Sequence, residues 1–155
     1  MSPAAGGATF GGGRRAARGD APCPCGVGAT FVMHCGPLVA GEELAPTALD
    51  LMRSRYTAHV LATHGDPAAE PHLVRTWHPR TRPEDVLPQP GLTWTGLRII
   101  DVTDGGIDDA TDEVEFVAAW RSGSGAVAQT GRMHERSRFA RRAGRWLYVD
   151  GDHRD

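Results

Sequence analysis

A chain of 155 residues and 16.6 kDa has room for one domain and little more. Its 17 basic residues, all arginine, face 19 acidic ones for a net charge of -2, which argues against a general nucleic-acid-binding surface. The lack of lysine excludes Schiff-base and phosphate-loop lysine chemistry, and no apolar run approaches a membrane span.

Residues 1–20 are rich in glycine and alanine, contain one aromatic, Phe10, and show no apolar period. They are expected to form a disordered tail or to reflect an over-long gene start. No apolar stretch follows their arginines, so a secretory leader is not expected. Residues 21–41 form a compact Cys/Gly/Pro segment, and 42–152 are read as the main domain. Within it, Pro46 to about Thr63 is predicted to be a helix, with Thr47 as N-cap and Asp50 three positions on. Leu49, Met52, Tyr56 and Val60 give it an apolar stripe, with Arg53, Arg55 and His59 mostly off it. A shorter helix is predicted over Ala68–Trp77, its stripe Leu73, Val74 and Trp77, before Pro79 prevents continuation.

The proline-rich residues 79–91 read as a connecting loop, after which the apolar period changes to two. Strands are predicted at Leu92–Val102, Glu113–Arg121, Gln129–Arg141 and Arg145–Asp150, with Ala143-Gly144 short enough for a tight hairpin. Alternation puts Val114, Phe116, Ala118 and Trp120 on one face of the second strand and Glu113, Glu115, Val117 and Ala119 on the other. It does not say which face is inside. Helices followed by a four-strand antiparallel meander define an α+β domain.

All three cysteines fall within residues 23–35, and the odd count is completed by a histidine: Cys23 and Cys25, then His34 and Cys35. Two pairs of soft donors at the ends of a glycine-bearing loop suit a tetrahedral zinc ion, and four protein ligands make it structural rather than catalytic. A disulfide would leave one thiol unpaired, and a Cys23–Cys25 bridge would be strained. A redox dithiol usually has two residues between its cysteines. An inert buried set does not explain the adjoining histidine. Thiols committed to metal suit a reducing cytoplasm.

Cys23-Pro24-Cys25-Gly26 followed by a Cys/His pair resembles the SEC-C motif, the zinc-binding tail of the SecA translocation ATPase; the usual Cys-His or Cys-Cys ending is here His34-Cys35. Further segments extend the match: Gly36-Pro37-Leu38, Leu51-Met52-Arg53-Ser54-Arg55-Tyr56, Thr76-Trp77-His78-Pro79, Val114-Glu115-Phe116-Val117, His134-Glu135-Arg136-Ser137-Arg138-Phe139 and Trp146-Leu147-Tyr148-Val149-Asp150-Gly151. Over roughly residues 22–151 the chain resembles the YchJ-like family of small bacterial proteins. The resemblance implies a SEC-C zinc knuckle joined to a domain like nuclear transport factor 2, a cone of helices packed into a curved antiparallel sheet. It bears on fold and metal rather than on an activity.

A cone places a pocket between helices and sheet. The polar residues singled out for it are His78, Glu115, His134 and Arg136, with Tyr56 as core or lining. His78 suits a general acid or base at the mouth, or a histidine meeting the last helix carbonyls. Glu115 reads equally as a buried, paired carboxylate or a solvated one. His134, Arg136 and Arg138, with Arg53 and Arg55, suit an anion site, or an ion-pair network between helix and sheet, which the abundant acidic residues favour. Two functions follow. The first is a non-catalytic module: the knuckle takes a protein or ribonucleoprotein partner, and the cone takes a small molecule or forms a homodimer. The second is a cone-fold hydrolase, isomerase or dehydratase using a His/acid pair, though no catalytic motif is present.

Overall fold

The structure is a computed structural model that describes residues 20–87, 90–104 and 106–154. The expected tail, apart from Asp20, lies outside the described residues. Three helices come first: α1 (Cys35–Val39), α2 (Ala48–Thr63) and α3 (Ala69–Arg75). Four strands follow, β1 (Leu92–Val102), β2 (Thr111–Ser122), β3 (Gln129–Arg142) and β4 (Arg145–Arg154), paired antiparallel in sequence order. The sequence gives no sign of α1, whose single turn is too short to show a period. Among the described residues, no helix is long and apolar enough to cross a membrane.

α2 begins as its cap predicts. The Asp50 N–H donates to Thr47 Oγ1 at 3.1 Å, and the Thr47 hydroxyl donates to the Asp50 carboxylate at 2.7 Å. The helix is central, touching α1 and α3 as well as β1, β2 and β4. Burial therefore runs around most of its circumference rather than along one stripe. Leu51, Met52 and Tyr56 are buried, but so are Ser54, Thr57 and the whole of Arg55. The expectation that Arg55 lies off the buried face is thus corrected: a helix packed on three sides buries polar positions too, provided each finds a partner.

The register of the sheet decides which face is inside. Val114 pairs with Ser137, Phe116 with Glu135 and Ala118 with Met133, and this set faces α2. Glu113, Glu115 and Val117, opposite Arg138, Arg136 and His134, form the outer face. In β4 the pairing steps from Phe139–Tyr148 to Arg138–Asp150 and leaves Val149 over, a one-residue bulge. The bulge reverses the parity of β4, so Tyr148, Gly151 and His153 all share the inner face. The free edge of β4 is covered by the chain after α3: Tyr148 donates to the Thr76 carbonyl and His78 to the Tyr148 carbonyl, both at 2.8 Å.

The β3–β4 turn has φ of 50° at Ala143 and 79° at Gly144, as a two-residue primed hairpin requires. Alanine is strained there. Ala143→Gly is expected to stabilise the fold by about 0.5–1 kcal/mol, read as a higher urea midpoint at unchanged slope. A lower midpoint would contradict that turn geometry.

Candidate metal centre and inner cavity

Cys23 and Cys25 lie in a loop closed by a bridge between Pro22 and Thr30, and His34 and Cys35 lie where a 3-10 turn, Phe31–Met33, meets α1. Neighbouring side chains in extended backbone point to opposite sides. The break at His34, with φ -125° and ψ -92°, instead brings His34 and Cys35 into one space. Gly36 lets α1 approach that turn, since a Cβ there would sit 2.8 Å from the Phe31 carbonyl oxygen.

The three sulfurs and a histidine nitrogen all lie within 4.8 Å of one another. Cys25 Sγ is 3.5 Å from Cys23 Sγ and 3.4 Å from His34 Nδ1, which is 3.3 Å from Cys35 Sγ. No disulfide joins the cysteines. Donation from Cys25 and then Cys35 pushes the Cys23 thiol down, while the same contacts and burial push Cys35 up. A cation at the centre of the set would let all three sulfurs ionise, so the four residues could hold a metal ion, His34 through Nδ1.

The cluster faces inward. Cys25 and Cys35 are fully buried and belong to the same core as α2. Cys23 Sγ lies 3.8 Å from Thr57 Oγ1, and Arg53 Nη1 donates to the Cys25 carbonyl at 3.1 Å.

Between α2 and the inner face of the sheet is a cavity of about 400 Å³. Arg55 enters it from α2, buried against two rings, its guanidinium carbon 4.9 Å from the centroid of Trp77 and 4.8 Å from that of Tyr148. Nη1 donates to the Leu73 carbonyl at 3.1 Å and Thr76 Oγ1 at 2.7 Å. Burial lowers its pKa to about 10, and the Tyr148 and Glu135 charges oppose that shift. Glu135 is buried on β3, its Oε1 accepting from the Ser137 and Tyr148 hydroxyls, each at 2.9 Å. Gly151 makes room for this carboxylate: a Cβ there would lie 2.0 Å from Glu135 Oε1. Gly151→Ala is expected to cost about 1–3 kcal/mol, as overpacking does. In a Glu135→Ala background most of that cost should vanish, and an undiminished cost would mean the clash lies elsewhere. His59 also lines the cavity; burial first and Arg55 second push its pKa down to about 3, so it is neutral.

Of the residues singled out from sequence, Tyr56 lines this cavity, whereas His78, Glu115, His134 and Arg136 lie outside it. His78 sits beyond α3, its Nδ1 accepting from the Arg80 N–H at 3.1 Å. Glu115 is on the outer face, 2.7 Å from His134 Nε2 and 2.9 Å from Arg136 Nη1; His134 first and Arg136 after it hold its carboxyl below the usual range. Arg136 also pairs with Glu113 at 2.6 Å and Asp101 at 3.0 Å. This is an ion-pair network rather than a shared anion site, but it joins strands of the outer face and not helix to sheet, because Arg53 and Arg55 lie on the other side of the sheet. Of the cavity's own polar residues, Arg55 enters the sequence reading only as a partner of His134 and Arg136, and His59, Glu135 and Tyr148 do not enter it as site residues. Their signal was weak: Glu135 alternates with Met133 and Phe139, and a charge on an apolar face is the mark of a buried site.

A family described as the YchJ middle NTF2-like domain matches residues 47–151. A UPF0225 protein of Streptomyces coelicolor is 46% identical over 134 residues, covering 86% of this chain and 97% of that protein. The chain belongs to this YchJ (UPF0225) family. A Deinococcus radiodurans member is 43% identical over 129 residues, covering 83% of this chain and 87% of its own. The solution structure of a SEC-C motif containing protein from Rhodopseudomonas palustris is 31% identical with a TM-score of 0.66, covering 86% of this chain and 98% of that one. A SEC-C motif containing protein from Psychrobacter arcticus, 24% identical with a TM-score of 0.57 over 83% of this chain and 80% of that one, shares the fold. The chain is thus an NTF2-like domain of three helices on a four-strand antiparallel sheet, with a Cys/His knuckle before it. The segments that carried the resemblance meet at the cavity, supplying Arg55, Tyr56, Trp77, Phe116, Glu135 and Tyr148.

Proposed function

We propose that this protein is a non-catalytic binding module, a cone that takes a small ligand and is braced at its helical end by a structural zinc ion on Cys23, Cys25, His34 and Cys35. The observation that carries this reading is that the knuckle is continuous with the core wall of the cavity: α2 holds the knuckle through Thr57 and Arg53 and lines the cavity through Met52, Arg55, Tyr56 and His59. A zinc tetrahedron with Zn–S near 2.3 Å has edges of about 3.8 Å, close to the 3.3–3.5 Å separations found here. Four protein donors leave no position for substrate. The His/acid contact at hydrogen-bond distance, His134–Glu115, is on the outer face, while the cavity's His59 is held neutral. A reducing cytoplasm suits the free thiols.

Native mass spectrometry of gently purified protein tests this reading. One zinc per chain and a co-purifying small molecule are expected, and a cavity-filling Ala118→Phe chain should keep the zinc and lose the molecule. A folded, metal-free native chain with nothing in its cavity would sink the proposal.

A second reading has its own observation. The outer side of the knuckle exposes Val27, Val32 and Met33, the last at 80%, an apolar patch suited to a protein partner. Affinity capture with the native chain and a Val32→Ser, Met33→Ser chain tests it. A partner lost only by the variant supports docking, and identical capture argues that the knuckle is a brace alone.

A further inference from the structure

The hydrogen-bonding inventory of the cavity is one-sided. Arg55 uses only Nη1; among the described residues, its Nε and Nη2 meet no acceptor and no carboxylate lies at ion-pair distance. The indole N–H groups of Trp77 and Trp94, both cavity-lining residues, are buried and make no hydrogen bond. Buried donors without acceptors are costly, and native structures keep few. Two carboxylates line the cavity: Asp85, which is exposed, and Glu135, which is buried, its Oε1 already occupied by two hydroxyls and its Oε2 having only His153 Nε2 at 4.0 Å. Neither reaches the indoles or the free edge of Arg55, so these donors are left over.

We propose that the cavity binds a small aromatic carboxylate, its oxyanion held by Arg55 with the Trp77 and Trp94 indoles and its ring held by the aromatic wall. This rests on the reading of the cone as a ligand-binding module. Trp77 and Tyr148, their ring centroids 5.0 Å apart, flank the Arg55 guanidinium together, and Nη1 is already bonded, which leaves the Nε/Nη2 edge without a partner. The Nε/Nη2 edge is the fork that matches a planar carboxylate in its own plane. One arginine in a cavity that also carries Glu135 and Asp85 favours a single delocalised charge over a phosphate dianion. Six aromatic rings and two methionines supply the wall, which suits a flat apolar body. A volume of about 400 Å³ is that of about a dozen waters, room for a ring with a short acid side chain.

The test is a titration of the full ¹⁵N-labelled chain with benzoate, phenylacetate and 3-phenylpropionate, and with the amides of the same acids. The indole N–H resonances of the tryptophans report on it directly. Trp146 is an internal control, since its indole already donates to the Pro46 carbonyl at 3.3 Å. At least one acid should shift Trp77 and Trp94 saturably and leave Trp146 still, with its amide binding about tenfold more weakly or worse. Arg55→Lys, which keeps the charge and loses the fork, should lose most of the acid–amide difference. Equal affinity for acid and amide, or acid shifts away from Trp77 and Trp94, would overturn the proposal. If the amides alone bind in the cavity, the carboxylate falls and the ligand-binding reading stands; if nothing binds to the folded chain, both fall.

Discussion

A Cys35→Ser chain, or the native chain stripped by a strong chelator, is expected to lose the cone together with the knuckle. Metal affinity at a structural site is folding free energy, about 10–16 kcal/mol in isolated zinc-finger peptides. A domain with its own core draws a smaller share, on the order of 5 kcal/mol, which is still comparable to a whole domain's stability. The coupling runs through named contacts. The cluster's sulfurs pack in the core of α2, Arg53 ties the Cys25 carbonyl to that helix, and Arg75 Nη2 on α3 donates to the Leu38 and Val39 carbonyls of α1 at 3.2 and 2.7 Å. Thermal unfolding followed by tryptophan fluorescence reads the cone itself, because Trp77 and Trp94 line its cavity. A cone that melts at the same temperature with and without metal would show that the knuckle is an appendage and not a brace.

The second large effect is loss of stability in mild acid. His72 is buried between α2 and α3. Ser54 donates its hydroxyl to the Leu51 carbonyl at 2.8 Å, so at 2.9 Å from His72 Nε2 it can only accept. His72 therefore carries its proton on Nε2 and accepts from Arg75 Nη2, 3.1 Å from Nδ1. A second proton would place a buried charge beside Arg75. Burial first, then Arg75, pushes the pKa of His72 down to about 3, and burial with Arg55 does the same to His59. For a base with a depressed folded pKa, the stability is fully present above the unfolded value of 6.5 and is lost as pH falls from there towards 3. Within that window each histidine contributes a slope of up to about 1.4 kcal/mol per pH unit. Two units below the unfolded pKa, the pair has cost up to about 5 kcal/mol. Urea midpoints at neutral pH and near pH 4.5 measure the slope. Metal release works in the same direction, so the comparison is with His72→Gln, whose amide keeps a donor and an acceptor. That chain should lose about one proton's worth of slope, and an unchanged slope would mean that His72 is not the titrating group.

The sequence by itself determined the order of α2, α3 and the four strands, the cap of α2, the turn between β3 and β4 and the four residues of the knuckle. Each is local: a period, a side chain meeting its own backbone, or four donors close along the chain. What it could not determine was which face of each element is inside. The stripe on α2 hid Arg55, because burial all round that helix comes from packing on three sides. The alternation in β2 offered Glu115 and Phe116 as equals, and only the pairing of Phe116 with Glu135 under α2 put Glu115 in the outer network. In β4 the bulge at Val149 changed the parity, which alternation read along one strand cannot register, and so brought Tyr148, Gly151 and His153 round to Glu135. The Cys/His cluster was legible because its four residues are neighbours in sequence. The cavity was not, because its charges, Arg55 and Glu135, are joined only by the register of a sheet and the helix laid across it.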